Sequence, residues 1–133
     1  MIINGLLRIL PSSGFIAEEG SNEKRGERYN WIIDPLDGTT NFIHGLPPFA
    51  ISIALLDGKE IIIGVVYEMG LKECFYAWKG GRSYLNGKEI HVSDVRKVTD
   101  SLIATGFPYY NYTYLDNFMT TVKFFMENSH GLR

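Results

Sequence analysis

Between residues 50 and 78 the chain spells three runs, AISIALLD, EIIIGVVYE and KECFYAW, rich in β-branched and aromatic residues and separated by the pairs Asp57-Gly58 and Met69-Gly70. Side chains of this kind fit a pleated surface, and the runs are too short for buried helices. Strands joined by such tight turns can only pair antiparallel, so the centre of the chain is constrained to a meander. The rest of the molecule has to be arranged around that sheet. Upstream, GFIAEEG and YNWIID read as two further strands, with a polar loop from Ser21 to Arg28 between them. Downstream, YLNGKEIHVS carries an Asn86-Gly87 hairpin signal and SLIATGF reads as another strand. Helices are expected at both ends. Ile2, Ile3, Leu6, Leu7 and Leu10 follow helical spacing until Pro11 and Gly14 stop the pattern. From Tyr114 onward, Leu115, Phe118, Met119, Val122, Phe125 and Met126 lie on one helical face, which reads as packing surface and not as a cofactor box. The last residues, SHGLR, carry no evident structural signal.

A length of 133 residues with 45% hydrophobic side chains suits one buried core, so residues 1–133 are expected to form a single domain or part of one. Thirteen basic against fifteen acidic residues leave no surplus of positive charge for a phosphate backbone, which argues against nucleic acid as a partner. Cys74 is the one cysteine; it has no disulfide partner in the chain and reads as a small buried thiol within CFYAW. MIINGLLRIL is too short to span a bilayer and lacks a small-residue cleavage site, so neither membrane anchor nor signal peptide is read there, and a cytoplasmic location is expected.

The chemistry concentrates in WIIDPLDGTTNF, residues 31–42. Asp34 closes an apolar strand, Pro35 forces it out of the α region, and Asp37 follows closely enough for both carboxylates to turn toward one spot at the strand end. Two anions held together repel unless a cation lies between them. The donors are hard oxygens without a Cys/His cluster, which favours Mg²⁺, with Mn²⁺ as the alternative, over zinc. Gly38 allows close backbone approach to a ligand, and Thr39, Thr40 and Asn41 can open a short helix with unpaired amides and hydroxyls suited to phosphate oxygens. A cation site beside a phosphate site describes a phosphoryl-transfer centre. DPLDG also has the composition of a plain turn. Glu18 and Glu19 end the preceding strand and could reach the same sheet edge, there to complete a ligand set or orient water, or they are two exposed acids entering a loop. His44 reads as a surface or packing residue.

GFIAEEG followed by WIIDPLDGTTNF closely resembles the inositol monophosphatase family of Mg²⁺-dependent, lithium-sensitive phosphatases, and the resemblance continues through AISIAL, GVVYE and KGGRSYLNGKEIHVS. It implies an α+β, layered αβ sandwich of the sugar-phosphatase type, present here mainly as its antiparallel sheet with flanking helices. Carried over by position, it implies that Glu18 binds metal and helps activate water, that Asp34 bridges two metals, that the Leu36 carbonyl ligates one of them, and that Asp37 ligates the second while touching a substrate hydroxyl. Gly38 and Thr39 would hold phosphate through their amides, the Thr39 hydroxyl would contact the attacking water, and Thr40 would support the turn. The implied reaction is in-line attack of metal-activated water on a small phosphate monoester such as inositol monophosphate, with no covalent phosphoenzyme, in a protein that in this family is commonly a homodimer.

Two departures stand out. The family has further helices before the glutamate strand and a second αβ layer beyond the point this sequence reaches, so the chain reads as a central portion of that fold. The family also carries a downstream metal-binding aspartate directly after a tryptophan, whereas Trp31 and Trp78 are followed by Ile32 and Lys79. Three readings remain open at the level of sequence. They are an inositol monophosphatase, a sister phosphatase for a nucleotide 3′-phosphate, a sugar bisphosphate or histidinol phosphate, and a non-catalytic chain that only binds metal or a partner.

Overall fold

The computed structural model of the protein describes residues 2–17, 24–108 and 110–133. They form two compact units, Met1–His91 and Val92–Arg133.

The first unit is built on a seven-stranded sheet in sequential order: β1 (Gly14–Ala17), β2 (Tyr29–Asp37), β3 (Ala50–Asp57), β4 (Glu60–Glu68), β5 (Glu73–Trp78), β6 (Ser83–Leu85) and β7 (Lys88–Ile90). Within this sheet only β1 and β2 pair parallel; every later pair is antiparallel, so the meander expected from residues 50–78 is present. The β6–β7 hairpin turns at Asn86 and Gly87, both with positive φ (49° and 84°), as its two-residue turn requires. Asn86 also accepts the Cys74 N–H through Oδ1 (2.9 Å), which ties the turn to β5. Cys74 itself is half-buried, less enclosed than its apolar neighbours suggested.

One sheet face is covered by α1 (Ile2–Ile9), which ends just before Pro11, as the helical spacing predicts. Ile2, Ile3, Leu6 and Leu10 pack against a core of Trp31, Ile33 and Leu55. Full burial of an aliphatic side chain such as Ile33 or Leu55 contributes about 1.5–3 kcal/mol. The Trp31 indole N–H would be costly to bury unpaired; it donates to Ser13 Oγ (3.0 Å), and the Ser13 hydroxyl donates to the Leu10 carbonyl (2.6 Å) at the end of α1. Residues that alternate with this core point to the opposite face. There Ile32, Asp34, Ser52, Val66, Phe75 and Ile90 line an open concavity of about 480 Å³.

The second unit contains a 3-10 turn (Val98–Asp100), β8 (Leu102–Ile103), α2 (Leu115–Asn128) and β9 (Gly131–Leu132). Phe118, Val122 and Phe125 are the half-buried stripe of α2, and Phe118 meets Phe107 edge to face at 5.9 Å. Leu115, Met119 and Met126 of the same predicted face are exposed, so only the inner half of that face serves as packing surface within this chain. The strand expected in SLIATGF is reduced to two residues, paired in parallel with Gly131 and Leu132. No helix among the described residues is long and apolar enough to cross a membrane.

Candidate active site

β2 runs through both aspartates instead of ending at the first. Pairing with β3 is regular from Tyr29↔Asp57 to Asp34↔Ser52, and resumes at Asp37↔Ala50. Three steps along β2 therefore oppose two along β3, which is a β-bulge. The sequence explains its position. Pro35 has no N–H to offer a ladder, and the Leu36 N–H donates to Asp34 Oδ1 (3.0 Å), so neither bulged residue has an N–H that requires an acceptor on β3. Proline thus interrupts the ladder without terminating the strand.

The bulge has a geometric consequence for the two carboxylates. In a regular strand, residues three apart point to opposite faces. Ser52 and Ala50 are two apart on β3 and share a face, and so do the residues across from them; Asp34 and Asp37 consequently emerge on the same side of the sheet. Asp34 is half-buried at the rim of the concavity, and Asp37 is exposed.

Immediately after Asp37 the backbone turns at Gly38, with φ 82° and ψ 37°, into a five-residue helical turn, Thr39–Ile43. A Cβ at Gly38 would lie 3.0 Å from the Pro48 carbonyl, so both the left-handed backbone and the close approach of the next segment call for glycine. The first hydrogen bond of the turn runs from the Phe42 N–H to the Gly38 carbonyl (2.9 Å), which leaves the Gly38 and Thr39 amides unused within it. The Thr39 hydroxyl donates to the Leu36 carbonyl at 3.0 Å. That carbonyl keeps a second lone pair, and the hydroxyl oxygen can still accept. Thr40 is exposed, and its carbonyl accepts the His44 N–H at 3.2 Å. His44 caps the helical turn at the surface.

The candidate donors on this face are two carboxylates and one peptide carbonyl, all hard oxygens, which fit Mg²⁺ or Mn²⁺ in kind. Among the described residues there is no group of three His, Cys, Asp or Glu side chains that could hold a metal. Glu18 and Glu19, candidates for the third carboxylate, lie outside the described residues. Ser52 was not singled out by its sequence. It faces Asp34 across the β2–β3 pair, and only the register reveals that the polar residue of AISIA belongs on the aspartate face.

Comparison with known proteins bears on the fold and the family. The sequence profile of the inositol monophosphatase family matches residues 1–132. An inositol-1-monophosphatase of Mesorhizobium japonicum is 36% identical, over 100% of this chain and 50% of its own length. A Thermotoga maritima protein named fructose-1,6-bisphosphatase/inositol-1-monophosphatase is 42% identical over 80% of this chain and 41% of its own. The crystal structure of extragenic suppressor protein SuhB from Bartonella henselae superposes with a TM-score of 0.88 at 38% identity, covering 99% of this chain and 51% of that one. The chain spans about half the length of the curated relatives it matches. Because the profile runs through the sheet, the bulge and the second unit alike, the chain belongs to the inositol monophosphatase family.

Proposed function

We propose that this chain carries the metal- and phosphate-holding part of a Mg²⁺-dependent phosphatase for small phosphate monoesters, inositol monophosphate being the first substrate to test. The observation that carries this reading is the bulge that turns Asp34 and Asp37 to one face, with the Leu36 carbonyl between them and Gly38 directly after. Asp34, Asp37 and the Leu36 carbonyl would hold the metal, joined by Glu18. When bound, the metal lowers the pKa of water, neutralises the phosphate and stabilises the departing alkoxide. The protein's own groups perform the rest. The Gly38 and Thr39 amides receive phosphate oxygens, the Thr39 hydroxyl orients the attacking water, Thr40 supports the turn, and Asp37 accepts a hydrogen bond from a substrate hydroxyl. Water adds to phosphorus, the ester P–O bond breaks, and alcohol and inorganic phosphate leave.

The substrate class is supported by relatives named for inositol monophosphate and for fructose 1,6-bisphosphate. The test is phosphate release from inositol 1-phosphate, with fructose 1,6-bisphosphate in parallel, titrated with Mg²⁺ and run beside Asp34→Asn. Turnover that requires both Mg²⁺ and Asp34 is expected, and removal of a metal-holding carboxylate is expected to abolish it. Equal phosphate release by the variant would overturn the reading.

A further inference from the structure

We infer that Asn41 is a positioning residue that sets the face on which Asp37 appears. The functional weight of this inference rests on the metal-site reading above, while its structural content stands apart from it. Beyond the bulge, Asp37↔Ala50 is the last pair between β2 and β3. The regular ladder ends at Asp34↔Ser52 and does not by itself dictate the pairing past the bulged residues. A slip of one residue at that last pair would send Asp37 to the other face of the sheet, away from Asp34.

The segment that returns from the helical turn prevents the slip. Asn41 Nδ2 donates to the Pro48 carbonyl (2.9 Å), and the Asn41 carbonyl accepts the Leu46 N–H (2.9 Å). The first of these bonds lays Pro48 against Gly38, where a Cβ would be 3.0 Å from the Pro48 oxygen and 3.3 Å from Phe49 Cα. Phe42 and Phe49 close the same gap edge to face at 5.2 Å. With Pro48 and Phe49 held beside Gly38, and the Phe49 carbonyl also accepting the Met69 N–H (3.3 Å) just past β4, the following residue, Ala50, falls opposite Asp37. Among the described residues no other side-chain hydrogen bond joins 38–43 to 46–50, so the amide of Asn41 is the polar tie of this clamp.

The test uses Asn41→Leu, which keeps the side chain's bulk and removes its donor, with Asn30→Ala as a matched control. Asn30 makes a similar clamp through its side chain, accepting the Gly26 N–H (2.8 Å) and donating to the Gly26 carbonyl (3.1 Å), at the opposite end of β2. Backbone cross-strand contacts are read by NMR on the full chain. Asn41→Leu is expected to lose the Asp37–Ala50 contact while keeping those from Asp34–Ser52 to Tyr29–Asp57; persistence of the Asp37–Ala50 contact would overturn the inference. A second readout is the dissociation constant for Mn²⁺. It should rise about 10- to 100-fold in Asn41→Leu, the scale of a lost supporting contact, and should not change in Asn30→Ala. In an Asp37→Asn background the same Asn41→Leu substitution should add nothing further, because its effect passes through Asp37. An additional loss there would mean a general structural role and would also overturn the inference. If the unmodified chain binds no Mn²⁺, the metal-site reading fails, and the NMR contact alone decides the role of Asn41.

Discussion

Arg28 and Asp57 show how a single pair at the surface can be read as a pH response. The guanidinium donates to both carboxylate oxygens of Asp57 at 2.7 Å, and the Arg28 carbonyl accepts the Gly58 N–H (2.9 Å) at the turn that Asp57 opens. That hydrogen bonding, with the attraction of the positive charge behind it, holds the Asp57 carboxyl below the usual carboxylate range. A carboxyl whose folded pKa is depressed adds stability above its unfolded pKa, and the contribution is lost as pH falls through the folded value. Arg28→Ala is therefore expected to lower the Tm slightly at pH 7. The gap to the unmodified protein should close as the pH drops below about 4, and should narrow in high salt because the pair lies at the surface, Arg28 exposed and Asp57 half-buried. Thermal melts from pH 7 to pH 2 check this, and a gap that widens on acidification would contradict it. At the same scale, the candidate ligands were legible in the sequence, since Asp34, Asp37 and Gly38 are chemically distinctive. Ser52 was not, because a serine in a strand declares neither its face nor its neighbour.

At the scale of elements, the junction between α1 and β2 depends on Ser13. Ser13 is 3% exposed, and its hydroxyl links the Trp31 indole to the Leu10 carbonyl at the end of the helix. Ser13→Ala leaves the Trp31 N–H buried without an acceptor, which costs about 1–3 kcal/mol. The expected outcome is a lower urea midpoint with an unchanged m-value, the mark of lost stability without a change in the surface exposed on unfolding. The strands of the meander were readable from their residues because alternation and turn chemistry are local properties. The bulge was not: DPLD gives a strand exit or a bulge equally well, and the pairing of Asp37 with Ala50 selects between them. The β8–β9 pair escaped for a related reason. Leu102–Ile103 and Gly131–Leu132 meet across the length of α2, and two-residue strands carry no periodicity of their own.

For the molecule as a whole, the sheet face opposite α1 is the feature with the largest consequence. Ile32 is 38% and Val66 41% exposed on it, at an apolar concavity whose polar members include Asp34 and Ser52. Apolar surface of this kind favours association. The chain is expected to sediment as a concentration-dependent oligomer, and Val66→Lys, which sets a charge on that face, should shift it towards monomer. Monomeric sedimentation of the unmodified chain at every concentration would show that this face does not drive association.

The sequence by itself determined the α+β class, the central meander and both helices, and it singled out the candidate oxygen donors, because hydrophobic period, turn residues and side-chain chemistry are written locally. It also carried the family, through a motif long and unusual enough to be distinctive. The tertiary structure decided that Asp34 and Asp37 share a face, that Ser52 joins them, and that Pro48 lies against Gly38. Those facts depend on which strand pairs with which residue. Pairing is settled by the whole sheet at once, and one residue of register is enough to move a carboxylate from one side of it to the other.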